Sequence, residues 1–217
     1  METKLRAKIM EMVRLKCSFE NGIEVGAIGS KGGLSLGWKG NSLVSLKSFS
    51  SFHIDAEIHD NDCGEVWRLT GFYGNPDGRR RNESWNLLRR LNHDQITPWV
   101  VLGDFNEITS SFEKKGGYLR SKRKMNEFRT TLEDCNLSDL GFVGRWFTWK
   151  RGKFLASNIR ERLDRGVATL NWVNLFPKYQ LEHLGHSPFE NLIKSWWDEE
   201  SGSVPGKLEN LGCRLQQ

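Results

Sequence analysis

The sequence predicts a mixed α/β domain, of the α/β or α+β class, in which helices cover the sheets. Short runs of alternating apolar and polar residues fill much of the stretch 23–60, and Trp99–Leu102 is a short continuous apolar run. Alternation is typical of strands with one exposed face, whereas a continuous apolar run is typical of a strand buried on both faces. Segments with apolar residues at helical spacing also occur, which indicates helices packed on these sheets.

The first elements along the chain are one helix and a group of hairpins. Residues 4–17 place apolar side chains at roughly helical spacing between charged ones, which predicts a helix. Residues 23–60 are broken by Gly, Asn and Ser, and Gly32-Gly33 and Gly40-Asn41 are the expected turns. Val66–Tyr73 then predicts a further strand that ends at a dense turn signal.

The second half of the chain alternates helices and strands. Asn82 or Ser84 is the expected N-cap of a helix that follows the turn. The remaining predicted elements are a buried strand at Trp99–Leu102, a helix at Met125–Cys135, a strand at Trp146–Lys150 and a helical turn at Asn171–Phe176.

Composition narrows the function classes. The chain carries 32 Lys+Arg against 27 Asp+Glu, which gives a net charge of +5 and a pI near 9.1. A positive balance favours an anionic partner, of which nucleic acid is the most abundant, although a solvated basic surface explains the charge equally well. No apolar run approaches the roughly 18 residues of a membrane helix, and the N-terminus has no signal-peptide core. Neither secretion nor membrane insertion is therefore expected.

The four cysteines indicate a reducing environment. Cys17, Cys63, Cys135 and Cys213 are widely scattered and show no Cys-x-x-Cys or Cys/His ligand spacing. We therefore expect neither a zinc site nor a disulfide scaffold, and an intracellular location is the default.

The length predicts one domain with a tail. A chain of 217 residues is long enough for one full core. We assign residues 1–190 to this domain, because patterning weakens beyond them, and residues 191–217 to an appended tail. The sequence makes no prediction of oligomeric state.

The strongest local chemical signal follows the buried strand. Asp104 and Asn106 stand two positions apart after Gly103, so an extended backbone would put both side chains on one face and turn Phe105 into the core. A carboxylate can orient or deprotonate water, and an amide can hold a phosphoryl oxygen, which suits phosphate ester hydrolysis. The alternative is an Asx turn without chemical function.

Four motifs in order extend this signal to a family resemblance. They are Thr70–Pro76 (TGFYGNP), Gly103–Asn106 (GDFN), Phe147–Trp149 (FTW) and Arg162–Arg165 (RLDR). In this order the chain resembles the endonuclease/exonuclease/phosphatase superfamily, whose fold is that of DNase I. More narrowly, it resembles the endonuclease domain of plant LINE-type, non-LTR retrotransposon polyproteins, over about residues 1–190.

The resemblance implies a fold, an activity and partners. The fold is a DNase I-like four-layer sandwich of two packed sheets flanked by helices. The activity is metal-dependent hydrolysis of a phosphodiester by a DNA endonuclease, with Mg²⁺ or Mn²⁺ as the metal and no small-molecule cofactor. DNA is then the partner, and the nucleus is the expected location.

The resemblance also implies a role for each of six side chains. They are Glu2 as metal ligand, Tyr73 facing the scissile phosphate, Asp104 positioning water, Asn106 holding the phosphate, Asp164 orienting the histidine, and His186 as that histidine. His183 competes with His186 for the match, and the Ser-Pro that follows favours His186.

Two departures from the family pattern lower the expected activity. The family's domain begins before the segment that contains Glu2, so we expect the first strand or strands to be missing. Gly185 also stands where the family has an aspartate before its last histidine. Both departures affect groups that act as a unit, so impaired hydrolysis is expected.

Basic clusters support an alternative function, a catalytically inactive nucleic-acid-binding remnant. They are Arg79-Arg80-Arg81, Lys114-Lys115, Arg120 and Lys122-Arg123-Lys124. The residues proposed to contact nucleic acid are Arg79, Arg80, Arg81, Lys122, Arg123 and Lys124. Solvated loops explain each cluster equally well. A phosphatase acting on a small substrate is a third reading, which the closeness to the retroelement branch disfavours.

Overall fold

The computed structural model describes residues 2–3, 7–26, 33–40, 43–61, 64–93, 96–152, 154 and 158–183. The helices of this part are α1 (Ala7–Lys16), α2 (Arg81–Leu91), α3 (Lys122–Asp134) and α4 (Leu170–Leu175). None of these helices is long and apolar enough to cross a membrane. The proposed tail, residues 191–217, lies outside the described residues, so the domain boundary at residue 190 stays a prediction.

The strands are mostly short, and a single 3₁₀ turn at Ser111–Glu113 is described among them. In chain order they are β1 (Glu2–Thr3), β2 (Asn21–Val25), β3 (Gly33–Trp38), β4 (Leu43–Ser50), β5 (His53–His59), β6 (Val66–Tyr73), β7 (Trp99–Asp104), β8 (Lys114–Lys115), β9 (Ser138–Asp139), β10 (Val143–Gly144), β11 (Trp149–Arg151), β12 (Ile159–Glu161), β13 (Asp164–Ala168) and β14 (Glu182–His183).

A six-stranded mixed sheet forms the centre of the domain. Its order is β4-β5-β6-β7-β13-β9, and among these strands only the β6–β7 pair is parallel. The strands predicted at Val66–Tyr73 and Trp99–Leu102 are therefore adjacent in one sheet, with Leu69 opposite Val100. The prediction of a central strand at Trp99–Leu102 is confirmed, because Trp99 and Val101 are fully buried and Val100 nearly so.

Helices α2 and α3 cover one face of this sheet through an aromatic core. Trp85 of α2 stacks on Phe128 of α3 with ring centroids 4.6 Å apart. Phe105 contacts Phe128 at 5.4 Å and Phe72 of β6 at 5.0 Å. Burial of such large apolar side chains is the main source of stability in a domain of this size.

A second sheet, β1-β3-β2, packs on the other face of the central sheet. Leu34 of β3 shares a buried cluster with Ile54 of β5 and Tyr73 of β6. Helix α1 lies outside this sheet, where Arg14 passes over Gly22 and Gly37. The layers are therefore helix, sheet, sheet and helices, which confirms the predicted fold class.

Two smaller sheets lie beyond the central one. Strands β11-β12-β8 form an antiparallel sheet of three, and β10 and β14 form a parallel pair. Strand β10 follows β9 in the chain, and β12 precedes β13, so each small sheet is joined to the central one.

Three element boundaries differ from the predictions for identifiable reasons. Helix α2 begins at Arg81 with no side-chain cap, because the Ser84 hydroxyl instead accepts a hydrogen bond from the Asn75 backbone N–H at 2.8 Å. Helix α3 begins three residues earlier than Met125. Strand β11 begins at Trp149 rather than Trp146. The indole N–H of Trp146 instead donates to the Phe112 carbonyl in the 3₁₀ turn.

A buried ion pair joins β5 and β6 at the end of the central sheet away from Tyr73. Arg68 donates from Nε and Nη2 to the two oxygens of Asp55, each at 2.8 Å, and from Nη1 to the Leu91 carbonyl at 2.7 Å. Both side chains are almost completely buried. Removal of one partner would leave an uncompensated charge in the core.

We expect Asp55→Asn to destabilise the domain by about 3–5 kcal/mol, because Arg68 keeps its buried charge and loses its counter-ion. The measurement is urea unfolding followed by circular dichroism. Asp77→Asn is the matched control, since it removes an exposed pair with Arg79 that water already screens. Equal unfolding midpoints for the two variants would contradict the importance of burial at Asp55.

Candidate functional site

Three strand ends place predicted site residues in one row. Tyr73 ends β6 and lies opposite Asp104, which ends the parallel strand β7. Asp164 begins the antiparallel strand β13 and lies opposite Asp104 on its other side. Since neighbouring strands are about 4.7–4.9 Å apart, the register alone brings the three residues together at one edge of the sheet.

Two glycines allow β6 and β7 to meet closely at this edge. The Gly74 N–H donates to the Asp104 carbonyl at 2.7 Å, and a Cβ on Gly74 would lie 2.2 Å from the Phe105 oxygen. Gly103 has a φ of +151°, and a Cβ there would lie 1.9 Å from the Phe72 oxygen. A larger residue at either position would push the strands apart.

Asp104 and Asn106 meet through a turn rather than through an extended strand. Asn106 has a φ of +56°, and its backbone N–H donates to Asp104 Oδ1 at 2.8 Å. The backbone is therefore not extended at this point, and of the two conformations that the sequence left open, the Asx turn forms. Phe105 is fully buried as expected, and the turn still keeps the two polar side chains in contact.

The amide of Asn106 is held by its own neighbours. Its Nδ2 donates to the Gly74 carbonyl at 2.9 Å and to Asp104 Oδ2 at 3.0 Å. Both acceptors are oxygens, so the opposite orientation of the amide is unfavourable. The side-chain oxygen of Asn106 is thus the atom left for a further ligand. Because this oxygen is an acceptor, it suits a cation better than the phosphoryl oxygen that the sequence predicted, which is an acceptor as well.

Asp164 is held by Thr148. The Thr148 hydroxyl oxygen accepts from the backbone N–H groups of Leu163 and Asp164, both at 3.0 Å. Desolvation raises the pKa of the Asp164 carboxyl above its usual value, and a hydrogen bond with Thr148 and the nearby His183 only partly oppose this. The carboxyl therefore holds a proton more readily than an ordinary aspartate.

A cluster of four charged side chains, of which three are buried and Asp139 reaches the surface, fixes the start of β13. Arg162 and Arg165 flank Asp164, and each donates to both Glu113 and Asp139 at 2.5–2.9 Å. The sequence predicted a role for Asp164 within the motif Arg162–Arg165 but none for the two arginines. Their acidic partners lie far away in sequence, so no local signal could have identified the pairs.

The arginines shift the titration of both acids. Burial would raise the pKa of Glu113, but the charge and hydrogen bond of Arg165 hold it below its usual value. Desolvation would also raise the pKa of Asp139, but the hydrogen bond with Arg162 and the charges of both arginines hold it below its usual value. Both acids are therefore ionised at neutral pH.

The two remaining predicted side chains are not described. Glu2 pairs through its backbone with Leu34, which packs in the same cluster as Tyr73, so the β1 strand runs beside the row. Nothing is described of the Glu2 side chain, and His186 lies outside the described residues.

His183, the alternative to His186, lies on β14. Its ring stacks on Phe142 with centroids 4.1 Å apart, and its Nδ1 forms a hydrogen bond with the Arg145 carbonyl at 3.0 Å. Its Nε2 is buried and has no hydrogen-bond partner among the described residues. Desolvation lowers the pKa of His183, so the ring is neutral at neutral pH.

Arg81 is not available to nucleic acid, which corrects its predicted role. Its side chain is 4% exposed, and Nη1 donates to the fully buried Glu107 at 2.7 Å. Its other nitrogens donate to the carbonyls of Asn75 and Pro76. Arg81 therefore holds the loop that follows Tyr73.

The other residues of the segments 79–81 and 122–124 are adjacent and at least partly exposed. Arg79 and Arg80 follow the loop, and each forms an exposed ion pair with a local acid. Lys124, which is half-buried, has its Nζ 2.9 Å from the position of a Cβ on Gly78, which brings the start of α3 beside this loop. We call Arg79, Arg80, Lys122, Arg123 and Lys124 the basic rim.

The donor chemistry of the row suits a hard divalent cation only in part. Carboxylate and amide oxygens of Asp104 and Asn106 are the ligands that Mg²⁺ prefers. Within the described ranges, however, no group of three or more His, Cys, Asp or Glu side chains is arranged to hold a metal. A complete site would need a further ligand such as Glu2.

We expect Glu113→Gln to destabilise the domain by about 3 kcal/mol at neutral pH, because two buried arginines lose one counter-ion. The folded-state pKa of Glu113 is lowered, so its contribution is complete above the unfolded value and disappears as pH falls through the folded one. The stability gap between parent and variant, measured by urea unfolding, should therefore narrow as the pH falls below the ordinary glutamate pKa of 4.5. Exposed Glu65→Gln is the control, and a pH-independent gap for Glu113→Gln would contradict this linkage.

Solved structures with a similar fold include nucleases. The endonuclease domain of TRAS1, a telomere-specific non-LTR retrotransposon, matches with a TM-score of 0.57 and 15% identity over 71% of this chain and 69% of that one. The human Nocturnin catalytic domain matches with a TM-score of 0.45 and 13% identity over 72% and 62%. D. rerio TDP2, complexed with a single-strand DNA product, also has a TM-score of 0.45 and 13% identity, over 76% and 68%.

At these identities the likeness to the TRAS1 domain establishes a common fold and no more. A comparison with curated protein sequences gives no significant match. The model of the Endonuclease/Exonuclease/phosphatase family, in contrast, matches residues 8–181. Because this match spans well over half of the 217 residues, the chain belongs to the endonuclease/exonuclease/phosphatase family.

Proposed function

We propose that this domain is the endonuclease of a non-LTR retroelement and hydrolyses phosphodiester bonds in DNA. The observation that carries the proposal is the register that aligns Tyr73, Asp104 and Asp164 at one edge of the central sheet. Members of this family are divalent-metal-dependent hydrolases. The row contains two of the carboxylates that the proposal uses, Asp104 and Asp164.

In this proposal Asp104 positions the attacking water and accepts its proton. The Asx turn engages both carboxylate oxygens of Asp104 with Asn106, which fixes the direction of the remaining lone pairs. Tyr73 is buried, and its ring stacks on Phe52 at 6.5 Å, so its position beside the row is rigid. Preorganised groups of this kind lose little energy to rearrangement during the reaction.

Asp164 and His186 form the second part of the proposed site. An aspartate beside a histidine fixes the tautomer of the imidazole and stabilises its charged form next to a phosphate. Thr148 and the ion-pair cluster of Arg162, Arg165, Glu113 and Asp139 would keep Asp164 in place.

Glu2 and the Asn106 amide oxygen are the proposed ligands of Mg²⁺ or Mn²⁺. The β1 strand carries Glu2 beside Tyr73's cluster, and Asn106 Nδ2 is already used by Gly74 and Asp104. When bound, the metal stabilises negative charge on the phosphate.

DNA is the proposed polymer, and the nucleus is the proposed location. Arg79 and Arg80 of the basic rim follow the loop after Tyr73, and Lys124 brings the start of α3 beside that loop. Arg81 supports this surface from below and is not part of it.

We also infer that the rate is reduced. Gly185 replaces an aspartate of the family pattern, and catalytic groups that act as a unit lose most of their joint effect when one is missing. The second candidate function, DNA binding without hydrolysis, is favoured by the same basic rim, since phosphate contacts tolerate imperfect geometry.

We expect the purified chain with Mg²⁺ to nick supercoiled plasmid slowly, and Asp104→Ala to reduce nicking by about 10²-fold or more, because the water loses its positioning group. Asp134→Ala is the matched control, since Asp134 pairs with Arg89 on the outer helices. Equal nicking by parent and Asp104→Ala would exclude the proposed role of Asp104. DNA retention by a parent that does not nick would favour the second function.

We further expect Gly185→Asp to raise the nicking rate by about tenfold or more, because it restores the missing carboxylate. The rate is measured in the same plasmid assay, with Gly185→Asn as a control of similar size and without charge. A rate that does not rise in Gly185→Asp would contradict the inferred cause of impairment.

A further inference from the structure

The three-stranded sheet β11-β12-β8 carries three cations in a row. Lys150 of β11 lies directly opposite Arg160 of β12, and Arg160 lies directly opposite Lys115 of β8. Residues directly opposite each other in antiparallel strands share one face of the sheet, with Cβ atoms about 4.5–5.5 Å apart. All three residues are exposed, and we call them the basic row.

The opposite face of this sheet is already neutralised. Glu161, next to Arg160, is buried and accepts from Lys114 Nζ at 2.6 Å and from Arg120 Nη2 at 2.8 Å. Arg120 also lies 3.7 Å from the buried Glu107. These ion pairs hold the inner face against the domain and so fix the outward direction of the basic row.

The basic row has no counter-ion of its own in the described part of the chain. None of the ion pairs there includes Lys115, Lys150 or Arg160, and Arg160 Nε donates instead to the neutral Asn158 Oδ1 at 2.7 Å. Like charges directly opposite in a sheet are destabilising. A multivalent anion laid across the strands would relieve this repulsion.

The basic row lies close to the proposed catalytic site. Arg160 precedes Asp164 by four residues, and Lys150 follows Thr148, which binds the Asp164 N–H, by two. At most about 3.3–3.6 Å per residue, Arg160 is within about 14 Å of Asp164 along the chain. Three strands span about 10 Å, so the long side chains of the basic row can reach more than one phosphate of a DNA strand.

We propose that Lys115, Arg160 and Lys150 form a binding site for the phosphodiester backbone of duplex DNA. The chain places the basic row next to Asp164, whereas the basic rim lies beside the loop that follows Tyr73. A DNA duplex bound to both basic surfaces would therefore pass over Tyr73, Asp104 and Asp164. The choice of DNA rests on the proposed function, while the basic row itself rests on the sheet register and its missing counter-ions.

The test compares the full chain with the triple variant Lys115→Gln, Arg160→Gln and Lys150→Gln. A short DNA duplex is titrated in EDTA, so that no cleavage occurs, over a range of salt concentrations. Each phosphate contact contributes about 0.9 to the slope of log K against log salt, so the slope should fall by about two to three. The thermal midpoint without DNA should stay equal or rise, because like-charge repulsion is removed.

The matched control is the triple variant Lys8→Gln, Lys16→Gln and Arg90→Gln. It removes the same charge from exposed positions on α1 and α2. The control should keep the parental slope.

Three outcomes would overturn the inference: a parental slope in the basic-row variant, an equal loss in the control, or no retention of DNA by the parent at low salt. A parent that binds DNA through the basic row but does not nick plasmid would contradict the proposed nuclease function and would support the basic row as a DNA-binding site. A parent that nicks plasmid, with a basic-row variant that binds DNA like the parent, would support the nuclease function and contradict the role of the basic row.

Discussion

The hydrogen-bonded register of β6, β7 and β13 is the constraint on which the rest of the site depends. Side chains alternate between the faces of a strand, so a slip of one residue would exchange the core face and the other face of the sheet. Phe72 and Val101 would then lose their packing against helices α2 and α3, and Tyr73 and Asp104 would no longer lie opposite each other. Core packing and site assembly are therefore set by the same pairing, and Gly74 and Gly103 let it close.

The buried charges have a related role. Ion pairs in a protein interior gain little net stability, because both groups lose their hydration. The cluster around Glu113 instead links the 3₁₀ turn, the short strand β9 and the segment that leads into β13. A neutral core could hold these segments with several similar packings, whereas two arginines shared by two acids permit few. This explains why so many charges lie next to the proposed site rather than on the surface.

The sequence predicted what is local and missed what is distant. Strands β6 and β7 and helix α3 follow from apolar periodicity, which needs no knowledge of the fold. The burial of Arg81 could not be predicted, because its partner Glu107 is 26 residues away and the neighbouring Arg79 and Arg80 are exposed. The left-handed Asn106 was missed for another reason, since both an extended strand and an Asx turn place Asp104 and Asn106 near each other.

The distribution of arginine shows how a modest net charge can leave a locally basic face. The buried arginines, such as Arg14, Arg68 and Arg165, are each paired with an acid inside the fold. Such pairs remove positive and negative charges together, so they leave the net charge of +5 unchanged. Arg160 and its two neighbours in the basic row owe their excess of positive charge to a local effect, because the acid beside them, Glu161, is turned inward to Lys114 and Arg120. The direction of this acid, more than the total charge, therefore makes this face of the domain suited to a polyanion.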